Sequence, residues 1–214
     1  MNNLIDKFAH ELRNPLTSAY STVQFIESQH PEVREFKFWT ALEADFLYMN
    51  DLITKFSNLA RAERLQLKPF SSKAMLEQVS LSFAASIAGS NVEYTSKLES
   101  SLPIINGDEV TLKELFRNLL KNAYDACLPD KTIYLEAFHT DTELIVHIKD
   151  TGCGIPEEDL PTLFDPFVTH KKDGTGLGLA ICNHIVKAHD GKLEVESVEG
   201  VGTTFTVSIP WGDQ

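Results

Sequence analysis

Gly174-Thr175-Gly176-Leu177-Gly178-Leu179-Ala180-Ile181 sets three glycines at alternate positions ahead of an apolar run with helical spacing. Glycines leading straight into a helix leave unpaired backbone N–H groups at its head, where the helix dipole favours an anion. A dinucleotide-binding fold is one that carries such glycines. In a doubly wound sheet the glycines follow a strand inside a β-α-β unit, and an acidic residue stands about 20 positions further on to hold a ribose. Here the residues before Gly174 are Val168-Thr169-His170-Lys171-Lys172-Asp173, a short charged loop, and the downstream acid does not come in the right pattern. The dinucleotide pattern is therefore not met.

The flanking sequence points to a mostly antiparallel sheet covered by helices. Stretches 92–98, 132–138, 144–149, 192–197 and 203–209 read as strands, and 72–88, 108–128 and 176–189 as helices. That order predicts a two-layer α/β sandwich over residues 68–214. Lys68-Pro69-Phe70-Ser71-Ser72 marks its start, because Pro stops one helix and Ser opens another. Residues 1–67 read differently. Apolar or small residues recur at alternating steps of three and four, through Ile5, Phe8, Leu12, Pro15, Ala19, Thr22 and Ile26, then Trp39, Leu42, Phe46, Met49, Ile53, Phe56 and Ala60. This is the seam of a coiled coil or bundle. Gln29-His30-Pro31 connects the two helices, with Pro31 placed to open the second. A helical hairpin alone has little surface to close a core, so pairing with a second copy into a four-helix bundle is expected.

Composition narrows the function. The 214 residues carry 19 Lys and Arg against 31 Asp and Glu, a net charge of -12. That balance argues against a nucleic-acid partner, which needs clustered cations. It leaves room for a nucleotide held by a few fixed donors and a metal. Cys127, Cys153 and Cys182 are odd in number and form no CxxC pair, as expected of free thiols in a reducing compartment. No apolar run reaches the roughly 18 residues of a membrane helix. A soluble, cytoplasmic piece without membrane contact is therefore expected, whether or not a longer parent carries an anchor.

With Ile5 at position a of the seam, His10 falls at f, facing away from the core, and Asn14 lies one turn further on the neighbouring outward position. Glu11 lies beside them, and Pro15 follows. A neutral imidazole can attack a γ-phosphoryl group if a carboxylate holds the proton on the other ring nitrogen. Glu11 suits that task and can take up the proton; Asn14 can orient a water for the hydrolysis of a phosphorylated partner. Pro15 removes a backbone donor and loosens the helix after the site.

Phe8-Ala9-His10-Glu11-Leu12-Arg13-Asn14-Pro15-Leu16-Thr17 closely resembles the H-box of sensor histidine kinases, and further blocks follow in that family's order. Glu114-Leu115-Phe116-Arg117-Asn118-Leu119-Leu120-Lys121-Asn122-Ala123 is similar to its N box. Asn118 and Asn122 stack on one helical face with Glu114 a turn before, and such oxygens suit Mg²⁺ together with phosphate oxygens and water. The resemblance assigns Asn122 to the metal, with Glu114 as a further candidate, and Asn118 to the phosphates. Asp125 stands where many relatives have Lys, which leaves Lys121 or the loop to supply a cation.

Asp150-Thr151-Gly152-Cys153-Gly154-Ile155 resembles the first glycine box, in which Asp150 would read the adenine amino group while Gly152 and Gly154 let the backbone approach the purine. Leu163-Phe164-Asp165-Pro166-Phe167 resembles the F box, and Gly174 to Gly178, with Thr175, Gly176 and Leu177, the second glycine box. Lys171 and Lys172 of the short lid can reach a γ-phosphate. Thr204, in Gly200-Val201-Gly202-Thr203-Thr204-Phe205, joins the nucleotide set. The short lid is similar to nitrogen-regulation and sporulation-type kinases.

The resemblance spans nearly the whole chain and implies the Bergerat (GHKL) ATP-binding fold on residues 68–214, behind a dimerisation and phosphotransfer domain on 1–67. It further implies ATP with Mg²⁺, autophosphorylation on His10, transfer to an aspartate of a response-regulator receiver domain, and a homodimer. A serine kinase of the anti-sigma type, a nucleotide-binding scaffold with a dead ATP site, and a protein acting chiefly as a phosphatase remain as alternatives.

Overall fold

The computed structural model describes residues 2–61, 65–127, 131–169 and 175–211, with only the backbone for 2–10, 51 and 55–61. The chain divides into two compact units, 1–64 and 65–214.

In the first unit α1 (Asn2–Gln29) and α2 (Trp39–Arg61) form a hairpin. The helix α1 runs unbroken through Pro15. Proline there lacks the N–H that would meet the Glu11 carbonyl one turn back, so that helical bond is not made. Pro31 does not open α2 as expected. It opens a separate 3₁₀ turn, Pro31–Glu35, anchored by buried Val33, and Phe36 then turns extended before α2 begins at Trp39. Within the hairpin, half-buried Leu16 and Tyr20 and buried Val23 share one face of α1, with the Tyr20 and Phe46 rings 5.7 Å apart, while half-buried Glu27 pairs with Arg34 of the 3₁₀ turn. On α1 the seam read from the sequence lies one position to the side of the Tyr20–Phe46 contact, whereas on α2 its member Phe46 takes part in it. Its members Leu12, Ile26, Leu42 and Met49 stay 38–42% exposed. Two helices can bury only one stripe each, so a broad apolar face leaves a second stripe outside.

The second unit is a five-stranded sheet in the order β2-β4-β5-β7-β6, built from Glu93–Leu98, Thr132–His139, Glu143–Asp150, Gly202–Pro210 and Lys192–Val198. Only the β2–β4 pair is parallel. The helices α3 (Ser72–Ser86), α4 (Glu109–Ala126) and α5 (Gly178–Ala188) pack against this sheet. The reason is legible in the strands. Ile133, Leu135 and Ala137 of β4 alternate with polar residues and lie opposite Asp150, Ile148 and Val146 of β5, all buried. Against them α4 sets Leu112, Leu115, Phe116, Leu119, Leu120 and Ala123, one continuous stripe of helical period. Asp108 caps α4, its Oδ1 accepting from the N–H groups of Val110 and Thr111, and Ser71 caps α3.

Two short strands, β1 (Lys68–Ser71) and β3 (Ile104–Gly107), pair antiparallel as a separate ribbon, where the sequence suggested only a boundary at 68–72 and assigned nothing to 104–107. Four residues, one of them Pro69, are too few to establish a period of two.

Candidate functional site

Glu114, Asn118, Asn122 and Asp150 are placed by how α4, β5 and α5 meet. The α4 helix carries Glu114, Asn118 and Asn122 half-buried on one flank, stepping toward the buried stripe, while Lys121 and Asp125 are exposed. That flank turns toward α5. The Glu114 carboxylate acts on Cys182 of α5, whose thiol is pushed up by burial first and by that charge second. The Cys182 sulfur also lies 3.8 Å from the Leu115 carbonyl.

Asp150 ends β5 with only 3% of its surface exposed, and its Oδ1 accepts from the Gly152 N–H at 2.8 Å. The turn that follows is tied down on two sides. The Cys153 N–H donates to the Ala126 carbonyl at the end of α4 (3.1 Å), and the Gly200 N–H donates to the Cys153 carbonyl (2.7 Å). The Ile155 N–H donates to Ser197 Oγ on β6 at 2.8 Å. This close approach explains the glycines. A Cβ on Gly152 would lie 2.5 Å from the Ala126 carbonyl oxygen, and one on Gly154, at φ +68, would lie 2.1 Å from that of Val198. Gly202 buttresses Asp150 from the neighbouring strand, where a Cβ would stand 2.1 Å from the Asp150 carbonyl oxygen.

The second glycine block opens α5. Leu177 is buried and occupies the N-cap without a side-chain cap bond; the Leu177 N–H itself donates to Thr175 Oγ1 at 3.5 Å. The first turn of α5 also carries no acidic residue. A Cβ on Gly178 would meet nothing within 4 Å, so among the described residues the ground beside the helix start is open. An uncapped helix head next to open space suits a phosphate group. Gly176, at φ +65, lies against the Phe167 backbone, and its carbonyl accepts the Phe167 N–H at 3.0 Å. This bond clips together the two ends of the lid. Lys171, Lys172 and Gly174 lie outside the described residues.

Thr204 is not brought to this site. It pairs with Lys149 on β5, one position out of step with Asp150, and strand alternation turns the two residues to opposite faces of the sheet. Thr203 pairs with Asp150 and shares its buried face; its hydroxyl lies 2.9 Å from Ser197 Oγ. Thr203 was missed because two adjacent threonines look alike until the register is known. On the other unit, Glu11 and Asn14 are exposed on α1, whose backbone also carries His10; the His10 side chain lies outside the described residues.

Oxygen donors fit a divalent cation here. Asn122 and Glu114 are half-buried on the flank beside α5. Among the described residues no cluster of three or more His, Cys, Asp or Glu could hold a metal unaided. Such a cation would need further oxygen from phosphate and water, as Mg²⁺ does in nucleotide sites.

Residues 107–213 match the family described as "Histidine kinase-, DNA gyrase B-, and HSP90-like ATPase". The chain is 32% identical over 203 residues to Sporulation kinase C of Bacillus subtilis (strain 168), covering 94% of this chain and 47% of that protein. It is 31% identical over 215 residues to the signal transduction histidine-protein kinase AtoS of Escherichia coli (strain K12), covering all of this chain and 35% of that one. The chain thus spans less than half the length of these relatives. Among solved structures, full-length ShkA in complex with AMPPNP superposes with a TM-score of 0.85 at 25% identity, covering 100% of this chain and 47% of ShkA. The catalytic domain of histidine kinase ThkA gives 0.63 at 29% identity, covering 68% of this chain and 96% of that domain. Glycine turns, an acid at a strand end and an amide-bearing helix thus stand here in a fold shared with these structures, and the chain belongs to the histidine kinase-, DNA gyrase B- and HSP90-like ATPase family.

Proposed function

We propose that this chain binds ATP on its second unit and transfers the γ-phosphoryl group to His10, from which it passes to an aspartate of a response-regulator receiver domain. The observation that carries the reading is buried Asp150, held between a turn in which Gly152 and Gly154 leave no room for a Cβ and Gly202 of the neighbouring strand, which leaves none either. Such a turn presents backbone and one carboxylate to a flat base. ShkA, of the same fold, was solved with AMPPNP.

In the reaction, Asp150 accepts from the adenine amino group, and Thr203, on the same face, supports it. The head of α5, from Leu177 and Gly178, and the amide of Asn118 hold phosphates. Thr175 and Gly176 shape the approach, and Lys121, Lys171 and Lys172 supply positive charge. Asn122, with Glu114, would hold Mg²⁺, which supplies charge neutralisation on the phosphates when bound. The unprotonated ring nitrogen of His10 attacks the γ-phosphorus; the N–P bond forms as the bond to the ADP oxygen breaks. Glu11 takes the proton from the other ring nitrogen.

The exposed seam of Leu12, Ile26, Leu42 and Met49 supports a homodimer in which two hairpins form a four-helix bundle. No described helix is long and apolar enough to cross a membrane, and we assign the reaction to the cytoplasm, where ATP and receiver domains are found. Exposed Asn14, one turn beyond His10, supports a second activity, hydrolysis of the phosphorylated receiver.

Incubation with γ-labelled ATP and Mg²⁺ tests the central claim. Acid-labile, base-stable label is expected on the intact chain and not on His10→Gln, with a fall of about a hundredfold or more in Asn122→Ala. Label surviving in His10→Gln would remove His10 as the acceptor.

A further inference from the structure

We propose that Cys127 and Cys153 form a peroxide-driven disulfide that locks the turn beneath the nucleotide site. The consequence for nucleotide binding rests on the reading above; the bond itself does not. Cys153 is exposed in the turn after Asp150, and Cys127 is half-exposed at the C-cap of α4. The sequence pairs them in no motif. Tertiary structure does, because the Cys153 N–H donates at 3.1 Å to the carbonyl of Ala126, the residue before Cys127. That bond plus the fixed peptide geometry on either side holds the two Cα atoms within roughly 7 Å, near the upper end of what a disulfide spans. The Cys127 sulfur reaches the same turn, where it receives a hydrogen bond from the Thr151 backbone and feels the charges of Asp150 and Cys153. Cys182 takes no part, since it is fully buried between α5 and α4.

The two thiols divide the chemistry. Burial, with the Asp150 charge second, pushes the Cys127 thiol up to about 11, so peroxide meets exposed Cys153 first. The Cys153 thiolate attacks one oxygen of hydrogen peroxide: an S–O bond forms, the O–O bond breaks, and hydroxide leaves and takes a proton to become water. Cys127 then gives its proton to solvent and attacks the Cys153 sulfur; the S–S bond forms, the S–O bond breaks, and a second hydroxide leaves as water. Two thiols lose two electrons and one peroxide gains them. The product staples the Gly152–Gly154 turn to the end of α4, where the turn already touches backbone to backbone. A turn so held can no longer adjust around a base, and the oxidised chain binds nucleotide weakly.

The test treats the full chain with hydrogen peroxide, blocks remaining thiols and digests it without reduction. A linked Cys127–Cys153 peptide is expected, with an intact mass lower by two hydrogens, present in Cys182→Ala and absent in Cys153→Ser and Cys127→Ser. A fluorescent ATP analogue should bind at least about tenfold more weakly after oxidation, with dithiothreitol restoring it. Recovery of Cys153 only as sulfenic or sulfinic acid, with no linked peptide, overturns the disulfide. A linked peptide with unchanged affinity overturns the lock. Failure of the reduced chain to bind the analogue refutes the nucleotide reading instead, and the peptide map still decides the thiol pair.

Discussion

Glycines at the candidate site do different jobs, and the difference is measurable. Gly200 and Gly202 both have positive φ, +77 and +143, yet a Cβ meets nothing within 4 Å at Gly200 and lies 2.1 Å from the Asp150 carbonyl oxygen at Gly202. Gly200→Ala therefore carries only the backbone strain, about 1–2 kcal/mol. Gly202→Ala adds a backbone clash that moves Asp150 and costs roughly 3 kcal/mol or more. Thermal unfolding should separate them, with Tm falling by about 2–6 °C for the first and about 6–12 °C for the second. Equal shifts would mean that the crowding at Gly202 relaxes away. The Gly200-Val201-Gly202 spacing was legible in the sequence, but which of the two glycines is held by crowding was not, because the crowding atoms belong to Asp150 and Thr151, about 50 positions away.

At the scale of elements, α4 and α5 are joined by a histidine that no motif reading picked out. His189, at the end of α5, is buried; its Nδ1 donates to the Ile185 carbonyl at 2.8 Å and its Nε2 accepts the Asp108 N–H at 2.9 Å. Asp108 in turn caps α4 and accepts the Gln66 N–H through Oδ2 at 3.0 Å. One imidazole thus ties the lid helix to the start of the amide-bearing helix and to the strap that enters the second unit. Burial holds the His189 pKa below its ordinary 6.5, against weaker opposing pulls from the Ile185 carbonyl, Asp108 and Asp190. The folded chain therefore prefers the neutral ring. The stabilisation is fully present above pH 6.5 and declines as pH falls below it, because the unfolded chain then takes up a proton that the folded one resists. Urea unfolding at pH 7.5 and 5.5 should show this loss, and His189→Gln, which offers an acceptor that does not titrate, should flatten the pH dependence while costing about 1–3 kcal/mol at neutral pH. A pH slope unchanged in His189→Gln would rule the histidine out as its source.

Across the whole molecule, the hairpin and the sandwich state their needs differently. The sandwich closes its own core, with Leu112, Leu115, Phe116, Leu119 and Leu120 wholly buried. The hairpin does not: beyond Val23 and Val33 its large apolar residues stay at least partly exposed among the described side chains. If a second copy covers that stripe, Leu42→Asp with Met49→Asp should turn a dimer into a monomer in sedimentation velocity without melting the second unit; an unchanged sedimentation coefficient would place the contact elsewhere. Periodicity and the blocks from His10 to Gly178 were enough to assign two α-helices before an α/β sandwich and to propose an acid, amides and glycines for the site, because helical and strand periods and turn chemistry are local properties written in adjacent residues. Only the folded chain decided that Thr203 rather than Thr204 stands with Asp150, that β1 and β3 pair as a ribbon, that α2 starts after a separate 3₁₀ turn, and that Cys127 meets Cys153. Each of these depends on register or on the meeting of distant segments, and a one-residue slip in pairing reverses which side chain faces the core.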